Sequence, residues 1–359
     1  MHQAHPLFRD RFRGCLLGGA AGDALGAPVE FMSRSEMLER FGAGGLTGYA
    51  PAWGAIGRIT DDTQMTLFTA EGLLQGWAVG CEDGAACLVQ ATQRAYLRWL
   101  RTQHEDPEAV AAEPDRPAEG WLLEHPELHH RRAPGQTCLA ALNAARRGDT
   151  WADNDRKGCG GVMRVAPVGL FLWRPGQAYS LAPAFHLATR LAGLTHGHPT
   201  GRLPAGVLAV LVLALVDGLG LEQALGLAKS ILREQPGHEE TLLAMERAEN
   251  LAGSTVPPAA AVNALGQGWI AEEALAIAVY CALVARGCKR GVILAVNHDG
   301  DSDSTGSIDG NLLSAMHGVK TIPEEWLAPW NCARSLPNWP RTCTLSRTGR
   351  SARTAQTMI

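Results

Sequence analysis

Apolar positions recur at three- and four-residue intervals along most of the chain, the period of a helix with one buried face. Leu67, Ala70, Leu73 and Leu74 share such a face, Leu88, Ala91, Ala95 and Leu100 approximate another, and Ala274, Ile277, Ala278 and Cys281 repeat the pattern. Alternating strand patterns are scarce, so the spacing predicts an all-α protein. Helices are expected near residues 8–21, 61–79, 84–102, 135–147, 163–172, 180–194, 199–217, 221–234, 238–252, 271–286 and 303–317.

A chain of 359 residues, 46% hydrophobic and 19% charged, can bury a substantial core. Its 6% aromatic content and 41 glycines suit close helix-on-helix packing, with glycine clusters marking turns and caps. Residues 104–134 are polar and proline-bearing and read as an excursion between helices. Beyond Trp339, Arg341, Arg347, Arg350 and Arg353 stand among serines and threonines with few apolar anchors. The expected organisation is a single compact multi-helix domain over residues 8–339 and a flexible basic tail over 340–359. No fixed-period repeat marks a solenoid.

A formal net charge of −4 provides no global field for nucleic acid or an anionic membrane. The nine cysteines include no C-x-x-C pair and are expected as reduced thiols in a cytoplasmic protein. The N-terminal residues lack the basic-then-apolar order of a signal peptide. The most apolar stretch, Ala205 to Val216, is too short to span a bilayer.

Two acidic clusters carry the strongest chemical signal. Thr60-Asp61-Asp62-Thr63 and Asp299-Gly300-Asp301-Ser302-Asp303-Ser304 each stand immediately before an apolar, helix-like run. One carboxylate there is explained by helix capping and the helix dipole. Adjacent carboxylates repel one another unless a cation sits among them. Their hard oxygens suit Mg²⁺, Mn²⁺ or Ca²⁺ rather than zinc, and the spacing does not match a calcium-binding EF-hand loop. Such carboxylates could hold a pair of divalent ions about 3.5–4 Å apart, which polarise a hydroxyl and activate a water together.

Other candidates each have a plain alternative. Gly158-Cys159-Gly160-Gly161, followed by Met163, can bring bare backbone to a diphosphate at a helix N-terminus, or can simply form a tight turn. Arg164 can meet a phosphate or tie down a buried carboxylate. His196 and His198 lack a third soft ligand for zinc. Glu272 and Glu273 fit as first-turn carboxylates. No G-x-S-x-G elbow is present, and Cys15 and Cys138 sit within apolar helical patterns.

The chain resembles the ADP-ribosylglycohydrolases over nearly its whole length. The resemblance is carried by Arg13 through Phe31 with its Gly22-Asp23-Ala24-Leu25-Gly26 core, by Thr60-Asp61-Asp62-Thr63, and by Gly160-Gly161-Val162-Met163-Arg164-Val165-Ala166-Pro167. It continues in Leu194-Thr195-His196, Gly268-Trp269-Ile270-Ala271-Glu272-Glu273-Ala274 and Asp301-Ser302-Asp303-Ser304. It implies an all-helical fold with a dinuclear Mg²⁺ or Mn²⁺ cleft and hydrolysis of the N- or O-glycosidic bond joining ADP-ribose to an acceptor. Thr60, Asp61, Asp62, Asp301, Asp303 and Ser304 then look like metal ligands, with Ser304 standing where many relatives have threonine. Glu30 matches an acidic residue that closes the site from the opposite wall, and His196, Gly160, Gly161 and Met163 fall in the substrate-binding stretches. Asp299 is read as outlying.

Glycosidic cleavage passes through an oxocarbenium-like transition state and uses carboxyl groups to activate water and manage the leaving group. Asp62 is the favoured base, with Asp61 and Glu30 as further catalytic carboxylates. The rival readings are a two-metal phosphoesterase or pyrophosphatase, and a non-catalytic ADP-ribose binder or an immunity protein against an ADP-ribosyltransferase toxin. The expected substrate is an ADP-ribosylated protein or a small ADP-ribose conjugate, with arginine favoured as acceptor. A guanidinium needs aromatic faces and an acid, which Tyr96, Trp99 and Trp121 with Glu105 and Asp106 could provide.

Overall fold

The computed structural model describes residues 5–80, 85–103, 120–145, 151–174 and 180–330. The basic tail and the acids Glu105 and Asp106 lie outside these residues. In chain order the helices are α1 (His5–Gly26), α2 (Arg34–Phe41), α3 (Asp61–Ala78), α4 (Ala85–Thr102), α5 (Gln136–Ala145), α6 (Ala166–Leu172), α7 (Ala182–Ala192) and α8 (Pro199–Asp217). They continue as α9 (Leu221–Leu232), α10 (Glu239–Ala252), α11 (Pro258–Leu265), α12 (Ala271–Val284), α13 (Cys288–Val296), α14 (Ser302–His317) and α15 (Glu324–Leu327). The one sheet among the described residues is a two-residue hairpin, β1 (Pro51–Ala52) against β2 (Ala55–Ile56). The all-α expectation holds.

The apolar helix α8 runs through the middle of the core, with nearly every side chain from Thr200 to Val216 buried. By length and composition it could cross a membrane, but 89% of its apolar stretch is buried inside the protein. His198 caps it, its Nδ1 accepting from Thr200 N at 3.1 Å, which accounts for that histidine without a metal.

Helix α1 departs from expectation by continuing past residue 21 to Gly26. Its glycines are contact surfaces rather than turns. A Cβ at Gly22 would stand 2.0 Å from the Gly306 carbonyl oxygen, and one at Gly26 would stand 2.3 Å from that of Ser302. The backbones of α1 and α14 therefore touch, which joins the last turn of one helix to the first turn of the other.

Helices α2, α11, α13 and α15 were not expected, because elements of four to nine residues are too short to show a helical period. Helix α6 starts at Ala166 instead of 163, and Cys159–Gly161 forms a separate 3-10 turn ahead of it. Cys15, Cys138, Cys159, Cys281 and Cys288 are free, as expected. Cys87 is disulfide-bonded, which corrects the expectation of nine reduced thiols. Pairing follows proximity in the fold, which spacing along the chain does not reveal.

Candidate active site

Three chain segments converge where α1 meets α14. Thr60 caps α3, its side chain accepting from Asp62 N, and Asp301 caps α14 by accepting from Ser304 N. Both acidic clusters are thus helix starts, aimed at each other and at the last turn of α1. Asp23, on that turn, fixes the junction. Its carboxylate accepts from Thr60 N at 2.9 Å, from Thr63 N at 3.1 Å and from the Thr63 hydroxyl at 2.5 Å.

Asp23, Glu30, Asp61, Asp62, Asp301 and Asp303 are all buried, and among the described residues no lysine or arginine forms an ion pair with any of them. Carboxylate oxygens of Glu30, Asp301 and Asp303 lie within 4.8 Å of one another, a grouping able to hold a metal ion. Burial, then Asp303 beside it, pushes the Glu30 carboxyl up to about 11 and Asp23 to about 7. The same two causes, in that order, raise Asp61, Asp62 and Asp301 well above the carboxylate range. Asp303 is raised by burial and held back by hydrogen bonds with the Asp301 side chain, then Ser304 N and the Thr60 side chain.

Glu30 Oε2 and Asp62 Oδ1 are buried and have no hydrogen-bond partner. Six carboxylates, orphaned oxygens among them and no protein cation, form a donor set suited to a hard divalent ion. A helix cap alone needs one such group.

The remaining expected residues sit around this cluster. Ser304 presents its hydroxyl beside Met163, donating to the Sδ at 3.8 Å, so Met163 is a buried wall of the cluster. His196 is buried under the glycine turn: its Nδ1 pairs with Thr195 Oγ1 at 2.8 Å, and a Cβ at Gly160 would meet its Cε1 at 3.3 Å. Burial, then the nearby Arg164, lowers its pKa to about 3, so the imidazole is neutral. Gly160 is pressed harder still by Cys138, whose Sγ would stand 2.8 Å from a Cβ there. Asp299 accepts from Arg34 N at 2.7 Å at the start of α2 and stays out of the cluster.

Several expectations are corrected. Arg164 is fully buried and, among the described residues, pairs with no carboxylate. Its guanidinium donates to Thr195 Oγ1 and Leu191 O and lies 4.3 Å over the Tyr96 ring. Tyr96 and Trp99 are buried, their polar ends spent on Thr69 and Gln64, and Trp121 packs half-buried against the core. No cation-receiving pocket forms from these three. Glu272 and Glu273 are scaffold, as expected: Lys157 pairs with Glu272 at 2.7 Å, and Glu273 accepts from Gln267 N and Gly268 N.

Two contributors escaped the sequence analysis. Asp23 stands inside a glycine- and alanine-rich helix, where a carboxylate is itself a signal. Cys159 donates from its thiol to Asp301 Oδ2 at 2.7 Å, so it lies against the cluster.

The sequence matches the ADP-ribosylglycohydrolase family over residues 4–348. Among curated relatives, it is 26% identical to the ADP-ribosyl-[dinitrogen reductase] glycohydrolase of Rhodospirillum rubrum, over 90% of this chain and 91% of that protein. It is 24% identical to the ADP-ribosylarginine hydrolase Tri1 of Pseudomonas putida, over 89% of this chain and 73% of that one. It is 27% identical to the mouse ADP-ribosylhydrolase ARH3, over 88% and 86%. A solved structure titled ADP-ribosylglycohydrolase-related protein complex superposes with a TM-score of 0.59 at 27% identity, covering 90% of this chain and 92% of that one. A match of this extent, on a helical fold that gathers the two acidic helix starts, means that the chain belongs to the ADP-ribosylglycohydrolase family, enzymes that cleave ADP-ribose from an acceptor.

Proposed function

We propose that this enzyme hydrolyses the bond between ADP-ribose and the guanidinium of a modified arginine on a protein, using two Mg²⁺ or Mn²⁺ ions held by Thr60, Asp61, Asp62, Asp301, Asp303 and Ser304. The family is metal-dependent, and the buried acidic cluster can take a metal. The observation that carries the reading is the pair of buried, partnerless oxygens, Glu30 Oε2 and Asp62 Oδ1, in a cleft without a protein cation. Divalent ions held there would supply Lewis-acid chemistry, orienting hydroxyls of the sugar and making a water more acidic.

The chain's own groups do the rest. Asp62 is the base that accepts the proton of the attacking water. Asp23 holds Thr60 and Thr63 by three hydrogen bonds, which keeps the first turn of α3 aimed at the sugar. Glu30 closes the cleft from the α1 side. The backbone around Gly160 and Gly161 takes the diphosphate, with neutral His196 packed behind it and adding no charge of its own. The anionic cleft suits an oxocarbenium-like transition state. Arginine as the acceptor is supported by the relatives named ADP-ribosylarginine hydrolase.

The test is a product analysis with matched peptides carrying ADP-ribose on arginine or on serine. Release of intact ADP-ribose, faster from arginine and lost on chelation without loss of helical circular dichroism, is the expected result. Release of AMP points to a phosphoesterase, faster serine cleavage rejects arginine, and full activity in metal-free protein rejects the ions.

A further inference from the structure

Two large exposed aromatic side chains stand on segments that adjoin the carboxylate cluster. Phe31 is 73% exposed and Trp269 is 38% exposed, yet their rings stack on each other, with centroids 5.9 Å apart and planes 20° from parallel. Exposed aromatic surface of this kind is costly to leave in water unless something uses it.

Each ring is attached to a different wall of the site. Phe31 follows Glu30, whose carboxylate lies within 4.8 Å of Asp301 and Asp303. Trp269 belongs to the segment before α12. Its carbonyl accepts from Cys159 N at 3.1 Å, and the Cys159 thiol reaches Asp301. That segment is firmly held: Asp301 N donates to Gln267 O at 2.8 Å, and Glu273 holds the amides of Gln267 and Gly268. At Gly268, where φ is +80°, a Cβ would meet Thr305 at 2.9 Å, so the turn lies tight against α14. The stack therefore joins the segment that carries Glu30 to the segment that holds Cys159 against Asp301.

Among the described residues, cations lie over other rings: Arg40 over Phe41, Arg164 over Tyr96, Arg174 over Phe171 and Arg190 over Trp151. None lies over Phe31 or Trp269. A π surface free of protein cations, set at the edge of a cluster of carboxylates, matches a planar cation in both shape and charge.

We infer that Phe31 and Trp269 form the acceptor platform, on which the guanidinium of the ADP-ribosylated arginine stacks while its ribose enters the cleft. The inference rests on the arginine reading given above and adds the residues that select it. The platform is a specificity element that touches the leaving group and leaves the adenosine end alone.

Trp269→Ala and Phe31→Ala are expected to lower kcat/KM for an ADP-ribosylarginine peptide about tenfold each, mostly through KM, with Trp269→Phe restoring most of it. Binding of free ADP-ribose to the metal-loaded protein, followed by calorimetry, should change less than twofold, which also shows that the variants are folded. An equal loss of ADP-ribose affinity would overturn the inference, because the rings would then hold the adenine. A second measurement separates this idea from the arginine reading itself. In wild-type protein, N-acetyl-arginine amide should perturb the Trp269 indole N–H resonance and the neutral citrulline analogue should not. If wild type fails to cleave the arginine linkage, the function reading falls. The platform falls if the indole does not respond to arginine or responds equally to citrulline.

Discussion

Two buried clusters of charge lie along α3, and they are built on opposite principles. One turn after another from its start, α3 carries Asp61 and Asp62 among other carboxylates, and then Glu71 against Arg98. Glu71 is fully satisfied: Arg98 donates to Oε2 from Nε at 3.0 Å and from the terminal nitrogen at 2.6 Å, and Leu122 N donates to Oε1 at 3.1 Å. Its charge is cancelled by protein atoms, so it ties α3, α4 and the 3-10 turn Trp121–Glu124 together. At the helix start carboxylates are gathered with their own kind and left with unpartnered oxygens. A balanced pair is architecture. An unbalanced cluster open to a cleft is a site prepared for something positive.

Asp309 sharpens the difference. It is fully buried in α14 with both carboxyl oxygens unpartnered, and burial raises its pKa well above the usual range. No other carboxylate contributes to that shift, and a single proton neutralises it. The cluster at the helix starts is different because its members raise one another, so it gains from a divalent ion in a way that a lone buried acid does not.

The largest expected effect breaks the cluster itself. Asp301→Asn and Asp62→Asn should each lower turnover by roughly a thousandfold under saturating metal, because charge is lost while size is kept. Asparagine still caps a helix, so the metal-free form of Asp301→Asn should melt no lower than wild type and should melt higher at pH 8. A fully active variant would remove Asp301 from the site. The paired cluster should respond the other way: Glu71→Ala leaves Arg98 buried and unpaired, costing about 3–5 kcal/mol of stability. Its metal affinity, measured below the melting transition, should match wild type.

Next in size is the response to metal and pH. The folded carboxyls sit above their unfolded values near 4, with Asp23 at about 7 and Glu30 at about 11, so the folded state keeps protons that the unfolded chain loses. The stability from these groups is therefore greatest below pH 4 and falls as pH rises. The Asp23 part is lost by about pH 7, and the Glu30 part goes on falling above it. Adding Mn²⁺ at about a hundred times its Kd should restore on the order of 2.7 kcal/mol at neutral pH and flatten the slope. Melting temperatures from pH 5 to 8, with and without metal, test this, and equal slopes in both series would contradict it.

What could be read beforehand follows from where each signal lives. The long helices and both acidic starts were legible, since a period and a run of carboxylates are local. Helix α2 was missed although Ser33 and Glu36 form a capping box, a local signal that eight residues without a period conceal. Gly22 and Gly26 read as punctuation because their purpose, contact with α14, lies nearly three hundred residues away. Tyr96 and Trp99 sat at helical spacing and proved to be core, whereas Phe31 and Trp269 became neighbours only through the fold.

The smallest expected effect concerns Glu273, which separates the two principles within one short segment. Its carboxylate accepts from Gln267 N at 2.9 Å and Gly268 N at 3.2 Å, and it stands in the first turn of α12, where negative charge is favoured by about 0.3–1 kcal/mol. Glu273→Gln keeps an oxygen for both amides and loses only the charge. Stability should fall by no more than about 1 kcal/mol, and kcat/KM should stay within twofold of wild type. Glu273→Ala removes the acceptor as well and frees the turn that carries Trp269, so its KM for a peptide substrate should rise further than that of the glutamine variant. A tenfold loss of kcat/KM in Glu273→Gln would mean that this carboxylate acts through its charge and belongs with the acidic cluster rather than with the scaffold.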